Sequence, residues 1–263
     1  MKILQKTIPL AVLAASLSAA TAATISFNFA GGRADAATDV TELAATDSVG
    51  AGAYAAANWN NLKSDWSGTA GARPTTIVDS TGSATGITLK YDTGDTWSTD
   101  VNEADSIDHK LFKRYFDDAP NGSGQPYVNV GGIADAALGY TVIIYLASDS
   151  ANSGTDVQMG DIWLQDQQAD AGATILSNGG TKLAPTLLGD SYTGTYLDAT
   201  GGSAGNYIVF TGLTSTNFTL RGDKSTTDAR VGFAGMQIIT VPEPSSAALL
   251  GLGGLALILR RRK

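Results

Sequence analysis

The strongest constraint on this chain is a recurring alternation of apolar and polar side chains, cut into short runs by turn-forming residues. Thr24-Ile25-Ser26-Phe27-Asn28-Phe29 is the first such run. A period of two places Ile25, Phe27 and Phe29 on one face of an extended strand. Ile87-Thr88-Leu89-Lys90-Tyr91 repeats the pattern. Residues 140–147 (YTVIIYLA) are almost continuously apolar and β-branched, as expected of a strand covered on both sides. Further strands are expected at 157–164, 193–197, 207–211, 218–221 and 231–241. Asn121-Gly122-Ser123-Gly124, Asn178-Gly179-Gly180, Gly201-Gly202 and Arg221-Gly222-Asp223 read as turns between them. Helical spacing is confined to 51–62 and 109–118, the second carrying Leu111, Phe112, Tyr115 and Phe116. The expected architecture is all-β: a single β-sandwich or jelly roll.

The two ends of the chain are of another kind. Lys2 and Lys6 precede a largely apolar stretch at 7–20, and Ala20-Thr21-Ala22 offers the small-x-small pattern that signal peptidase reads. Residues 1–23 are therefore expected to form a signal helix that is removed after Ala22 or Ala23. At the other end, Pro242-Glu243-Pro244 is followed by an uncharged apolar run at 247–259 and then by Arg260, Arg261, Arg262 and Lys263. Two prolines around one residue cannot continue a helix or donate to a sheet ladder, so the tripeptide is extended and accessible. The apolar run is expected to form a short transmembrane helix. Residues 245–259 would span roughly 22 Å at about 1.5 Å per residue, against a hydrocarbon core of roughly 30 Å. So marginal a span suits a transient anchor in the inner membrane; an anchor that is never cleaved is the plainer alternative. The four terminal cations form the stop-transfer block, because each costs roughly 2.5–3.5 kcal/mol near the bilayer centre. Residues 24–241 are left as the ectodomain.

The order of Pro-Glu-Pro, short hydrophobic helix and terminal arginine cluster resembles the PEP-CTERM sorting signal of exported bacterial proteins. The resemblance covers residues 242–263 and implies a partner, the exosortase, that processes the tail near Pro242, Glu243 and Pro244. It also implies a destination at the cell surface or in the extracellular matrix. The body carries a second resemblance. Ile25-Ser26-Phe27-Asn28-Phe29, Asn58-Trp59-Asn60-Asn61-Leu62, Gly139-Tyr140-Thr141-Val142-Ile143-Ile144-Tyr145 and Gly235-Met236-Gln237-Ile238-Ile239 recur in that order in the ectodomains of one group of PEP-CTERM proteins. Those ectodomains are similar to galactose-binding-like or lectin-like sandwiches, which implies a fold and no particular ligand.

Charge narrows the partners. Lys2, Lys6, Arg260, Arg261, Arg262 and Lys263 all lie in the ends, whereas Glu243 is the one acid there, so the ectodomain is more acidic than the formal −8 of the whole chain. Nucleic acid, whose binding needs clustered Lys and Arg, is excluded as a partner. The absence of cysteine excludes thiol catalysis, zinc–thiolate and iron–sulfur sites.

No catalytic residue is assigned. His109 is the one histidine, and Asp108 and Lys110 beside it fit a solvated position at a helix start. A polysaccharide hydrolase would need two facing carboxylates, which spacing alone does not bring together. Asp92 and Asp95, and Asp149 and Asp156, sit in Gly-containing segments that offer the oxygen ligands Ca²⁺ prefers, but neither segment has EF-hand spacing. Acidic turns that end strands are the commoner case, so no metal or cofactor is assigned and a structural Ca²⁺ stays an alternative. Trp59, Trp66 and Trp97 are the candidates for stacking on a glycan such as exopolysaccharide, set against the plainer role of plugging the ends of a sandwich.

Overall fold

Tyr140–Leu146 forms a strand, β7, whose side chains alternate between two cores. Tyr140, Val142, Ile144 and Leu146 enter one apolar cluster. Ile143 and Tyr145, with Ala147 just beyond, enter another on the opposite face. Successive side chains in a strand point to opposite faces, so an apolar run of this length requires cover on both. The computed structural model describes residues 24–30, 41–62, 76–93, 95–102, 104–117, 126–165, 180–223 and 230–241. The N-terminal signal, Trp66 and the tail from Pro242 lie outside the described residues.

The larger sheet runs β13 (Tyr207–Leu213), β7, β15 (Gly232–Thr240), β1 (Thr24–Asn28) and β2 (Asn60–Asn61). From β15 a branch leads to β5 (Arg114–Asp117) and β4 (Asp95–Ser98). The smaller sheet runs β10 (Thr181–Leu183), β9 (Asp161–Gln165), β14 (Asn217–Asp223), β6 (Tyr127–Gly131) and β3 (Thr88–Asp92). A minor sheet joins β12 (Ala204–Gly205), β11 (Thr186–Leu187) and β8 (Val157–Gln158). Among the described residues the one α-helix is α1 (Ile107–Lys113), and none is long and apolar enough to cross a membrane. The fold is all-β.

The two main sheets share a core. Phe27, Phe116, Ile144 and Met236 of the larger sheet join Val128, Ile162, Phe218 and Leu220 of the smaller. Phe116 links them directly, stacking on Phe29 with centroids 4.5 Å apart and on Tyr91 at 5.2 Å. A bulge at Ala234, where the register of β15 against β7 shifts, lets both Phe233 and Met236 face this core while Ala234 faces the other.

The outer face of the larger sheet is closed by α1 and the segments around 43–59 and 192–196. Phe112 of α1 stacks flat on Tyr192 at 4.6 Å, and Trp59 tilts against Tyr145 at 5.9 Å. Phenolic hydroxyls tie the loops down. The Tyr145 hydroxyl accepts from the Ala51 N–H at 3.0 Å and donates to Gln237 Oε1 at 2.5 Å. Gln237 Nε2 in turn donates to Ser26 Oγ and to the Tyr54 carbonyl. The Tyr196 hydroxyl accepts from the Gly50 N–H at 3.1 Å and donates to Asp108 Oδ1 at 2.6 Å. Elsewhere Asn60 and Asn61 act as spare peptide groups. Asn60 Nδ2 donates to the carbonyls of Ser26 and Val78 while Oδ1 accepts from the Val78 N–H. Asn61 bonds Asn28 and both backbone groups of Leu43, so β1 is stitched to the segments on either side.

Five local expectations change. The helix expected at 109–118 ends at Lys113, and Arg114–Asp117 is strand β5, wholly buried between β4 and β15. Residues 51–62 hold a single turn, Gly52–Tyr54, and then β2. The strand at 157–164 is broken into β8 and β9, and 193–197 holds none. Arg221-Gly222-Asp223 ends β14 rather than turning the chain. Gly222 is needed for close packing, since a Cβ there would collide with Val231.

Two predictions follow from the closed face. Tyr145→Phe leaves the Ala51 N–H and Gln237 Oε1 buried without the hydroxyl, and urea titration should show a loss of about 1–3 kcal/mol. Burial pushes the Tyr145, Tyr192, Tyr196 and Tyr207 phenols above their ordinary range, Tyr192 up to about 12. The Asp108 hydrogen bond and charge add to the rise at Tyr196. A raised folded pKa stabilises fully below the unfolded value near 10 and is lost as pH climbs through the folded value. Stability should therefore fall above about pH 10, with tyrosinate absorbance appearing together with loss of circular dichroism. Full ionisation near pH 10 in a chain that stays folded would contradict this.

Candidate functional site

The residues singled out from the sequence do not converge on one place. Trp59 is 5% exposed, and its Nε1 donates to the Ala56 carbonyl at 2.8 Å. Its indole lies inside the outer core, so it offers no face to a sugar, which corrects that candidate. Trp97 is half-buried on β4, with the Arg230 guanidinium 5.7 Å from its ring centre. Asp92 closes β3 and Asp95 opens β4, paired in register with Tyr127 and Asp117 respectively.

Asp149 is held by Arg230 and Tyr115. Arg230 Nη1 bonds Asp117 Oδ2 at 2.6 Å, and its Nη2 reaches Asp149 Oδ2 at 3.4 Å. The Tyr115 hydroxyl donates to Asp149 Oδ1 at 2.9 Å and accepts from the Asp149 N–H at 3.0 Å. Arg230 is partly desolvated, but the charges of Asp117 and Asp149 outweigh this and raise its pKa. Burial, and then the same two carboxylates, push the Tyr115 phenol up. Asp117 is fully buried, and a carboxylate in that position is tolerated because it is paired. Asp156 Oδ1 accepts from the Gly189 N–H at 2.9 Å, fastening one loop to another. Among the described residues no three His, Asp or Glu side chains come together as a metal site. His109 Nδ1 sits 2.7 Å from Ser106 Oγ at the start of α1, while Asp108 is turned to Tyr196. Ser106, His109 and Asp108 therefore do not form a nucleophilic relay.

The structure instead draws attention to the outer face of the smaller sheet. Ile162, Leu164, Phe218, Leu220, Val128 and Val130 face the shared core, so the alternate residues face away from it. Register aligns Lys182, Trp163, Arg221, Tyr127 and Asp92 in one row across all five strands. The next row holds Gln165, Thr219, Asn129 and Lys90. Trp163 and Tyr127 are half-buried on either side of Arg221. Lys182 bonds Asp161 at 2.9 Å and lies 5.6 Å from the Trp163 ring centre; Arg221 Nη2 bonds Asp223 at 2.6 Å. Thr219 Oγ1 donates to Asn129 Oδ1 at 2.8 Å. The sequence carried a signal for this face. In Asp161-Ile162-Trp163-Leu164-Gln165 the apolar residues flank Trp163, which puts the indole with the polar set.

A family model, the PEP-CTERM protein-sorting motif, matches residues 240–263. No curated protein matches the chain. The match begins at Thr240, the last residue of β15, so the signal follows directly on a central strand of the larger sheet. The chain thus carries the signal by which an exosortase recognises exported proteins, consistent with a surface or extracellular destination.

The ion cluster supplies a test of the calcium alternative. Asp149→Asn should lower the unfolding midpoint equally in Ca²⁺ and in EDTA, because what it loses is a pair with Arg230 and Tyr115. A midpoint that drops only when calcium is present would reinstate Asp149 as a ligand.

Proposed function

We propose that the chain is an exported structural or binding component of the cell surface or extracellular matrix. The observation that carries this reading is the sorting motif at 240–263, which follows directly on the last strand of the folded body. Signal peptidase removes residues 1–23, leaving Thr24 to begin β1. The run at 247–259 forms a short helix in the inner membrane, and Arg260, Arg261, Arg262 and Lys263 hold the C-terminus on the cytoplasmic side. Pro242, Glu243 and Pro244 stand outside the bilayer for the exosortase, which ends the anchored stage. In this reading the body is a jelly-roll sandwich of the galactose-binding-like type.

The role outside the cell is non-enzymatic. Hydrolysis of polysaccharide needs an acid and a base or nucleophile held across a sugar, and three carboxylates of the body are engaged in internal pairs: Asp117 and Asp149 by Arg230, Asp108 by Tyr196. Binding of extracellular polysaccharide is the second reading, favoured by the aromatic row on the smaller sheet.

Deleting Pro242–Lys263 tests the proposal in the native host. The truncated protein should lose its surface or matrix location while circular dichroism of the purified body remains that of a β protein. An unchanged distribution, with the tail gone, would refute a role for the tail in sorting.

A further inference from the structure

We infer that the end of the body at which β15 finishes lies against the surface of the inner membrane while the chain is anchored, with Leu138 and Val241 touching the headgroup layer. The inference rests on the anchored stage proposed above, and it adds which surface of the body meets the lipid.

Strand directions define that end. β15 finishes at Thr240, paired with Tyr140 at the start of β7, and Leu213 at the finish of β13 pairs with the same tyrosine. β1 starts there too, because Thr24 is paired with Ile239. The signal before Thr24 and the tail after Val241 therefore leave the body from neighbouring strands at one end. Pro242 to Ser246 are the five residues between Val241 and the apolar run, at most about 18 Å of extended chain. The headgroup layer takes up roughly 5–8 Å of that. This end is thus held at most about 10–13 Å from the lipid surface, near the Debye length of about 8 Å.

The residues at this end suit the position. The connections that close it, 76–87, 132–139 and 214–216, hold two acids and no Lys or Arg. One of the acids, Asp79, is spent on its own turn, its Oδ1 accepting from the N–H groups of Thr81 and Ser83. Among the described residues four large apolar side chains are well exposed, and two of them are here: Leu138 at 46% and Val241 at 49%. They are neighbours, since the Val241 N–H donates to the Gly139 carbonyl at 3.4 Å.

The opposite end is acidic. Asp92, Asp117 and Asp223 close their strands there, Asp95 and Asp161 open theirs, and Asp149 follows β7. Arg221, Arg230 and Lys182 answer only part of that charge. A Cβ on Gly222 would meet Val231, which sets the finish of β14 beside the start of β15. β15 has nine residues, about 30 Å at roughly 3.3 Å each. Several Debye lengths therefore separate these acids from the membrane when the acid-poor end faces it. Any other pose would bring carboxylates toward anionic lipid, which repels them. Aliphatic side chains free of nearby charge are what the interfacial layer accepts.

The chain has no cysteine, so a single introduced cysteine carries a probe without competition. The full-length chain is labelled with a fluorophore at Ala137→Cys or, at the far end, at Ser153→Cys, both exposed positions. It is reconstituted into vesicles of phosphatidylglycerol and phosphatidylcholine and recovered by flotation. Phosphatidylcholine spin-labelled on its headgroup should quench the probe at 137 at least about threefold more than the probe at 153. Adding Leu138→Asp should cut the quenching at 137 at least about twofold without moving the urea midpoint, and should cut it less in vesicles of phosphatidylcholine alone. Equal quenching at the two positions, or quenching at 137 indifferent to Leu138→Asp, would overturn the inference. An equal loss in both lipids would overturn its electrostatic argument. A chain that floats but shows no preference between the probes sinks this inference and leaves the anchor standing; a chain that does not float sinks the anchor, and this inference with it.

Discussion

The structure depends on covering one sheet twice. β7 is apolar on both faces and β15 is buried on both, with Gln237 among its covered residues, so the larger sheet must be sandwiched between the smaller sheet and a second layer built from α1 and loops. With no disulfide available, that second layer is held by packing and by side chains that stand in for backbone partners. Tyr145 and Tyr196 each take a backbone N–H from the 50–51 segment, and Gln237 joins β15 to β1 and to Tyr54. The tyrosines are suited to this because each brings a large apolar ring into the core and a hydroxyl to its edge. Asp117 and Arg230 do the corresponding work at the branch of β5, where a strand too short to pack by itself carries a buried ion pair.

The outer faces of the two sheets differ in composition. The larger sheet has spent both faces on stability, and its outer surface is closed by rings that contact one another. On the outer side of the smaller sheet Gln165, Thr219 and Asn129 are buried as well, while Trp163, Tyr127 and Arg221 beside them are partly exposed. Its outward residues are Trp163, Tyr127, Arg221 and a polar row behind them, on strands whose inward residues are wholly apolar.

Much of this was legible in the sequence, and the failures have identifiable causes. Ile25, Phe27 and Phe29 declared β1 because alternation survives wherever one face is buried, and the apolar run at 140–147 declared a doubly covered strand. The segment 109–118 misled because Leu111, Phe112, Tyr115 and Phe116 have helical spacing. Tyr115 and Phe116 in fact point to opposite cores from a strand, and only the partners β4 and β15 make that possible. Arg221-Gly222-Asp223 looked like a turn because glycine usually permits one; here it permits Val231 to approach. Trp59 invited a surface role by its type, whereas the pocket between Tyr145 and α1 that takes it is formed by residues distant in the chain. Trp163 passed unnoticed inside a run read as structural. The sorting signal was legible because its parts are contiguous and need no tertiary contact to be recognised.

The export reading and the fold meet at two points on the chain, just before β1 and just after β15. Intact-mass spectrometry of the protein isolated from its own host interrogates both together. The account predicts a mature species beginning at Ala23 or Thr24 and ending near Pro242, recovered from the cell surface or medium. A cytosolic species of full length, with Met1 and Lys263 both present, would contradict it.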